Sequence, residues 1–132
     1  MKIIAVIARF LLGLIFLVFG LNNFLHFIPA SPPPSGTAGQ FVGALFISNY
    51  LVVVFLLQII PAVLLLINRY VPLALTLLAP IIVNILLFHI LMAPSGLALA
   101  IVVTVLWVLV FLRVRSAFGG LFQRRVLAQE LR

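Results

Sequence analysis

NRYVPLALTLLAPIIVNILLFHILMAPSG, residues 68–96, decides the fold. An arginine stands at one end, an uncharged apolar run covers 71–92, and the turn at 93–96 carries no charge. As a helix rising 1.5 Å per residue, the run is about 33 Å long, enough for a hydrocarbon core of about 30 Å. Pro72 suits the first turn of such a helix, where its missing N–H costs nothing. Pro94-Ser95-Gly96 makes a tight turn at the far end. Outward from this segment lie three further apolar stretches, 3–27, 51–67 and 97–112. The eight basic residues are Lys2, Arg9, Arg69, Arg113, Arg115, Arg124, Arg125 and Arg132. Threading the stretches back and forth puts all eight on one face. The connections at 28–40 and 93–96 are uncharged. Basic loops stay cytoplasmic, so both termini are expected inside.

Composition agrees. The chain is 132 residues long, 67% hydrophobic and only 7% charged, a membrane balance rather than a soluble one. The net charge of +7 does not point to nucleic acid. It lines a membrane face and favours anionic lipid headgroups. With no cysteine, disulfides, thiol relays and iron–sulfur ligation by this chain are excluded. The N-terminal run resembles a signal peptide, but Arg9 interrupts it and no small-residue cleavage site follows Gly20. It reads as a retained first helix.

Residues 29–39, PASPPPSGTAG, exclude helix because successive prolines remove donors and clash with the preceding turn. The long run 41–67 is broken by Ser48-Asn49-Tyr50. It divides into a short outer-face helix over about 38–48, interfacial or re-entrant, and a span from Tyr50. Pro61 and Pro80 kink their spans. After Gly119-Gly120 the tail reads as a surface-lying helix or a frayed end. The expected architecture is an all-α integral membrane four-transmembrane-helix bundle, N-in/C-in, with a short outer-face helix between spans one and two. The membrane domain covers 1–116 and the basic tail 117–132. A faint echo links Asn22/Asn23, His26, Pro29 and Ser31 with Asn84, His89, Pro94 and Ser95. Chance similarity between apolar segments explains it more simply than a repeat.

Polar side chains inside a bilayer are costly and turn toward protein or water. Asn22, Asn23, His26, Gln58, Asn84 and His89 all fall in the outer half. Gly13, Phe16, Gly20 and Asn23 recur at helical spacing, a stripe of small residues expected to face another helix and to turn Asn23 inward. Asn84 and His89 lie about 140° apart around their helix and do not point to one spot. Interhelical hydrogen bonds, worth about 0.6 kcal/mol each, explain Asn23, Gln58 and Asn84 slightly better than ligand contact does. Phe24, Phe27, Phe41, Phe46, Tyr50 and Phe88 share this depth, and aromatic walls with a few polar groups are the usual make-up of a small-ligand pocket. A quinone fits such a pocket. Haem and metal are disfavoured, since two histidines without acids or cysteines make a poor ligand set. Arg9 lies about 9 Å along its helix from Ile3. Snorkelling to the headgroups is its simplest role, and an anion or lipid-phosphate contact is the alternative. Thr104 and Trp107 read as packing. The sole acid is Glu130, so no nucleophile–base pair or paired carboxylate supports hydrolysis or carboxylate-driven proton pumping.

The segments ARFLLGLIFLVFGLNNFLHFIP (8–29), AGQFVGAL (38–45) and residues 68–96 together resemble the DoxX family of small four-helix membrane proteins. They cover about half of the chain, in the family's order. The most specific pieces are Arg9-x-x-x-Gly13, Asn84-x-x-x-x-His89 and the Pro94-Ser95-Gly96 turn. The family includes a subunit of thiosulfate:quinone oxidoreductase and members linked to membrane redox-defence complexes. The resemblance implies a four-helix bundle in a bacterial-type cytoplasmic membrane. It implies a quinone- or lipid-binding accessory subunit beside a soluble or membrane oxidoreductase, not an enzyme acting alone. Asn23 stands where a Lys is frequent in the family and Gln58 near a frequent acid. A neutral hydrogen bond would here replace an ion pair. A small-solute transporter or permeability factor and a structural scaffold are the rival readings, and a homo-oligomer stays open.

Overall fold

The computed structural model describes residues 2–29 and 32–126. They form five α-helices and no strand: α1 Lys2–Leu25, α2 Gly36–Ile47, α3 Tyr50–Leu66, α4 Val71–Leu91 and α5 Leu97–Val114. Pro94–Gly96 and Arg115–Phe122 are 3-10 turns. The helix extents follow the apolar runs closely, except that α2 begins at Gly36, inside the stretch 29–39 expected to exclude helix, because the prolines that forbid it end at Pro34. After α5 the chain continues as the 3-10 segment Arg115–Phe122, with Phe118 buried against Phe111 at a ring separation of 5.1 Å. The rest of that tail, from 127 on, and Ser31 of the echo lie outside the described residues.

The helix ends are set by local chemistry. At the close of α1, His26 adopts a left-handed φ of 52°. Its N–H bonds Asn22 O at 2.8 Å, and Asn22 Oδ1 accepts the Ile28 N–H at 2.7 Å. These contacts satisfy backbone groups that a helix end leaves open. Asn49 and Asn68 take the same left-handed conformation at either end of α3, which asparagine tolerates better than most residues. Between α2 and α3 the chain bends by 85°, so α2 lies across the end of the bundle and packs on α3.

The four long helices close a ring in the order α1, α3, α4, α5, with α5 returning to α1. The core is apolar: Leu12 and Phe16 of α1, Ala62 and Leu65 of α3, Leu75 and Leu78 of α4, and Val103 and Val110 of α5. Gly13 and Gly20 lie on the α3-facing side of α1. A Cβ on Gly13 would stand 3.0 Å from Leu66 Cγ, and one on Gly20 2.8 Å from Ile59 Cγ1. The glycines therefore bring the two backbones together. Trp107 Nε1 donates to Leu75 O at 3.0 Å, tying α5 to α4, and its ring stacks on Phe111. Thr104 donates to Ala100 O within its own helix.

The outside of the bundle is as apolar as the inside, with Ile3, Ile60, Val83, Leu91 and Val105 all more than half exposed. Water would make such a surface aggregate, whereas lipid suits it. Three helical segments are long and apolar enough to cross a membrane, and the bent α2–α3 pair supplies a fourth if it counts as one span. The chain is a membrane protein with several apolar helices.

Candidate functional site

At the end of the bundle away from the basic residues, the four long helices part around a cleft of about 310 Å³. Phe16, Phe19 and Asn23 of α1 form one wall. Phe55 and Gln58 come from α3, Ile85 and His89 from α4, and Leu99, Ala100 and Val103 from α5.

Gln58 is the polar centre of this cleft. Only 7% of the residue is exposed, and it is the one polar residue buried in the core among those described. Its amide makes no hydrogen bond to the protein among them. Yet no side-chain nitrogen or oxygen of the described residues is both sealed and unpaired. Both amide atoms therefore reach the open cleft. Leaving such a group unpaired in a low dielectric costs about 1–3 kcal/mol, which a molecule in the cleft can offset.

His89 is held rigidly. Its Nδ1 lies 2.9 Å from Ala93 O. A carbonyl only accepts, so Nδ1 is the donor, and in the tautomer with its single proton there Nε2 is left as an acceptor. Beneath the ring is Gly96, where any Cβ would overlap the imidazole. The Pro94–Gly96 turn is thus the seat of His89. Asn23, expected to turn inward, is exposed at the edge of the cleft, and its Nδ2 donates to Phe19 O at 2.8 Å. Its second N–H and its Oδ1 remain for a ligand.

Three of the six polar residues expected in one pocket meet there: Asn23, Gln58 and His89. Asn22, His26 and Asn84 do not. Asn22 caps α1 through Ile28, and His26 is exposed in the left-handed position that ends the helix. Asn84 is exposed on α4 and folds its amide back onto Pro80 O at 2.8 Å. The expected aromatic set shifts as well. The cleft walls are Phe16, Phe19 and Phe55, deeper than the expected residues. Phe24 packs edge-on against Phe55 at 6.5 Å, and Phe88 edge-on against His89 at 5.1 Å, and neither lines the cleft. Phe27, Phe46 and Tyr50 are exposed. Phe16 was legible on the glycine stripe, whereas Phe55 and Phe19 carried no sequence signal separating them from lipid-facing phenylalanines.

Arg9 lies at the opposite end, half-buried. It donates to Leu65 O at the C-terminus of α3, and its guanidinium sits 4.5 Å from the Phe10 ring centre. There it offsets the negative end of the α3 dipole. No group of three or more metal-ligating side chains occurs among the described residues. Comparison with protein-family models, with curated proteins and with solved structures gives no match.

Proposed function

We propose that the chain is a DoxX-like four-span protein of a bacterial-type cytoplasmic membrane, with both termini inside. Its outer cleft binds a quinone or quinol, and it serves as an accessory subunit of a membrane redox system. The observation that carries this reading is Gln58, buried and without a protein partner, opening on a cleft walled by Phe16, Phe19 and Phe55. Aromatic faces suit a flat ring, and the three polar groups suit its oxygens. Asn23 and Gln58 supply N–H donors for a quinone carbonyl. His89, with Nδ1 engaged by Ala93 O, supplies Nε2 as an acceptor for the hydroxyl of the reduced form. No nucleophile–base pair accompanies them, so the cleft holds the molecule and a partner oxidoreductase exchanges electrons with it.

The test is extraction of quinone from purified protein, then titration of a quinone and its quinol. Gln58→Leu and His89→Ala should each weaken binding roughly tenfold, the size of one lost hydrogen bond at a polar site. Asn84→Ala, outside the cleft, should bind like wild type. Absence of saturable binding, or an equal loss in Asn84→Ala, would overturn the reading. Solute flux in proteoliposomes without quinone binding would favour a transporter instead.

A further inference from the structure

The opposite end of the bundle holds a second cleft, of about 220 Å³. Lys2 and Arg9 of α1, Arg113 of α5 and Asn68 of the α3–α4 turn line it, together with Val71, Val110 and Val114. Three cations thus converge on one hollow. The chain's sole acid is Glu130, so no carboxylate occurs among the described residues to neutralise them.

Two of the three cations have a local role. Arg9 donates to the Leu65 carbonyl near the end of α3, and Arg113 lies in the last turn of α5. Those roles explain their helices but not their convergence. Like charges around one hollow repel, and an anion between them turns that repulsion into attraction. Arg9 is already fixed by Leu65 O and the Phe10 ring. A guanidinium carries five N–H donors, so most remain free, and a prefixed donor loses little entropy on binding. The valines among the cations suit the apolar part of a lipid, and the cations suit its phosphate.

We propose that this inner cleft is a binding site for a phosphate-bearing anion, held by Lys2, Arg9 and Arg113. The proposal is independent of what occupies the outer cleft. The source is either the headgroup of an anionic lipid or free phosphate. The whole chain in neutral detergent is titrated with phosphatidylglycerol or phosphatidylcholine, with bound lipid read by native mass spectrometry. Wild type should retain one phosphatidylglycerol and not discriminate for phosphatidylcholine. Lys2→Gln with Arg113→Gln should weaken phosphatidylglycerol by at least about tenfold, the loss of a charge-assisted hydrogen bond. Arg69→Gln, a cation at the same end but outside the cleft, should leave it unchanged. Inorganic phosphate that displaces the lipid assigns the site to free phosphate, and failure to displace it assigns the headgroup. Should the double variant not fold, Lys2→Gln alone serves, since Lys2 is exposed. Wild-type affinity in these variants, or an equal loss in Arg69→Gln, overturns the site.

Discussion

Gly20→Ala adds one methyl group where α1 meets α3. The new Cβ would lie 2.8 Å from Ile59 Cγ1, at least about 0.6 Å inside ordinary contact. Ile59 is branched at Cβ and stiff about χ1, so the helices must part or the isoleucine must leave its rotamer. Overpacking of this kind costs about 1–3 kcal/mol. Alanine's better helix propensity returns up to about 1 kcal/mol. The net effect should be destabilising, by about 1 kcal/mol. Gly43→Ala in α2 is the matched control, because nothing lies within 4 Å of its new Cβ. There the propensity gain stands alone, and stability should hold or rise. Thermal unfolding in detergent, followed by far-ultraviolet circular dichroism, compares the two. Adding Ile59→Ala removes the colliding atom, so the double variant should lose less than the sum of the singles. If Gly20→Ala melts as high as Gly43→Ala, or the pair with Ile59 proves additive, α1 and α3 do not meet there.

Three further outcomes follow from the geometry. Gly96→Ala should displace the imidazole of His89 and cost as much ligand affinity as His89→Ala, measured by the same quinone titration, with the global melt little changed. Trp107→Phe keeps a ring beside Phe111 but loses the donor to Leu75 O, and should lower stability by about 0.5–1.5 kcal/mol in detergent unfolding. Ser35→Cys should be labelled by an impermeant thiol reagent on intact cells and Ser116→Cys should not, both sites being exposed in a cysteine-free chain. The reverse pattern would invert the proposed topology.

The long helices were legible because each apolar run is punctuated. Prolines and a charged or polar turn mark every end, and the break at Ser48-Asn49-Tyr50 is where Asn49 turns left-handed. The polar site was legible in depth but not in azimuth. Asn22 and Asn23 are neighbours, and only packing decides that Asn23 meets the cleft while Asn22 caps the helix. Asn84 shares their depth, but bonding its amide to Pro80 O lets it face outward. Sequence spacing carries no sign of such a local bond. His89 depended on a contact with Gly96 that forms only once the turn folds back. The inner cations were legible as one face of the membrane. That Lys2, Arg9 and Arg113 share a hollow required α1 and α5 to be neighbours.

The elbow between α2 and α3 has a consequence for the surrounding lipid. α3 has 17 residues, about 26 Å of helix, while α1 has 24, about 36 Å. A bilayer crossed by both would have to thin on the α3 flank or borrow thickness from α2, whose Phe46 and Ile47 are 71% and 82% exposed. Because α2 lies crosswise at one end only, the protein displaces more lipid from that leaflet than from the other.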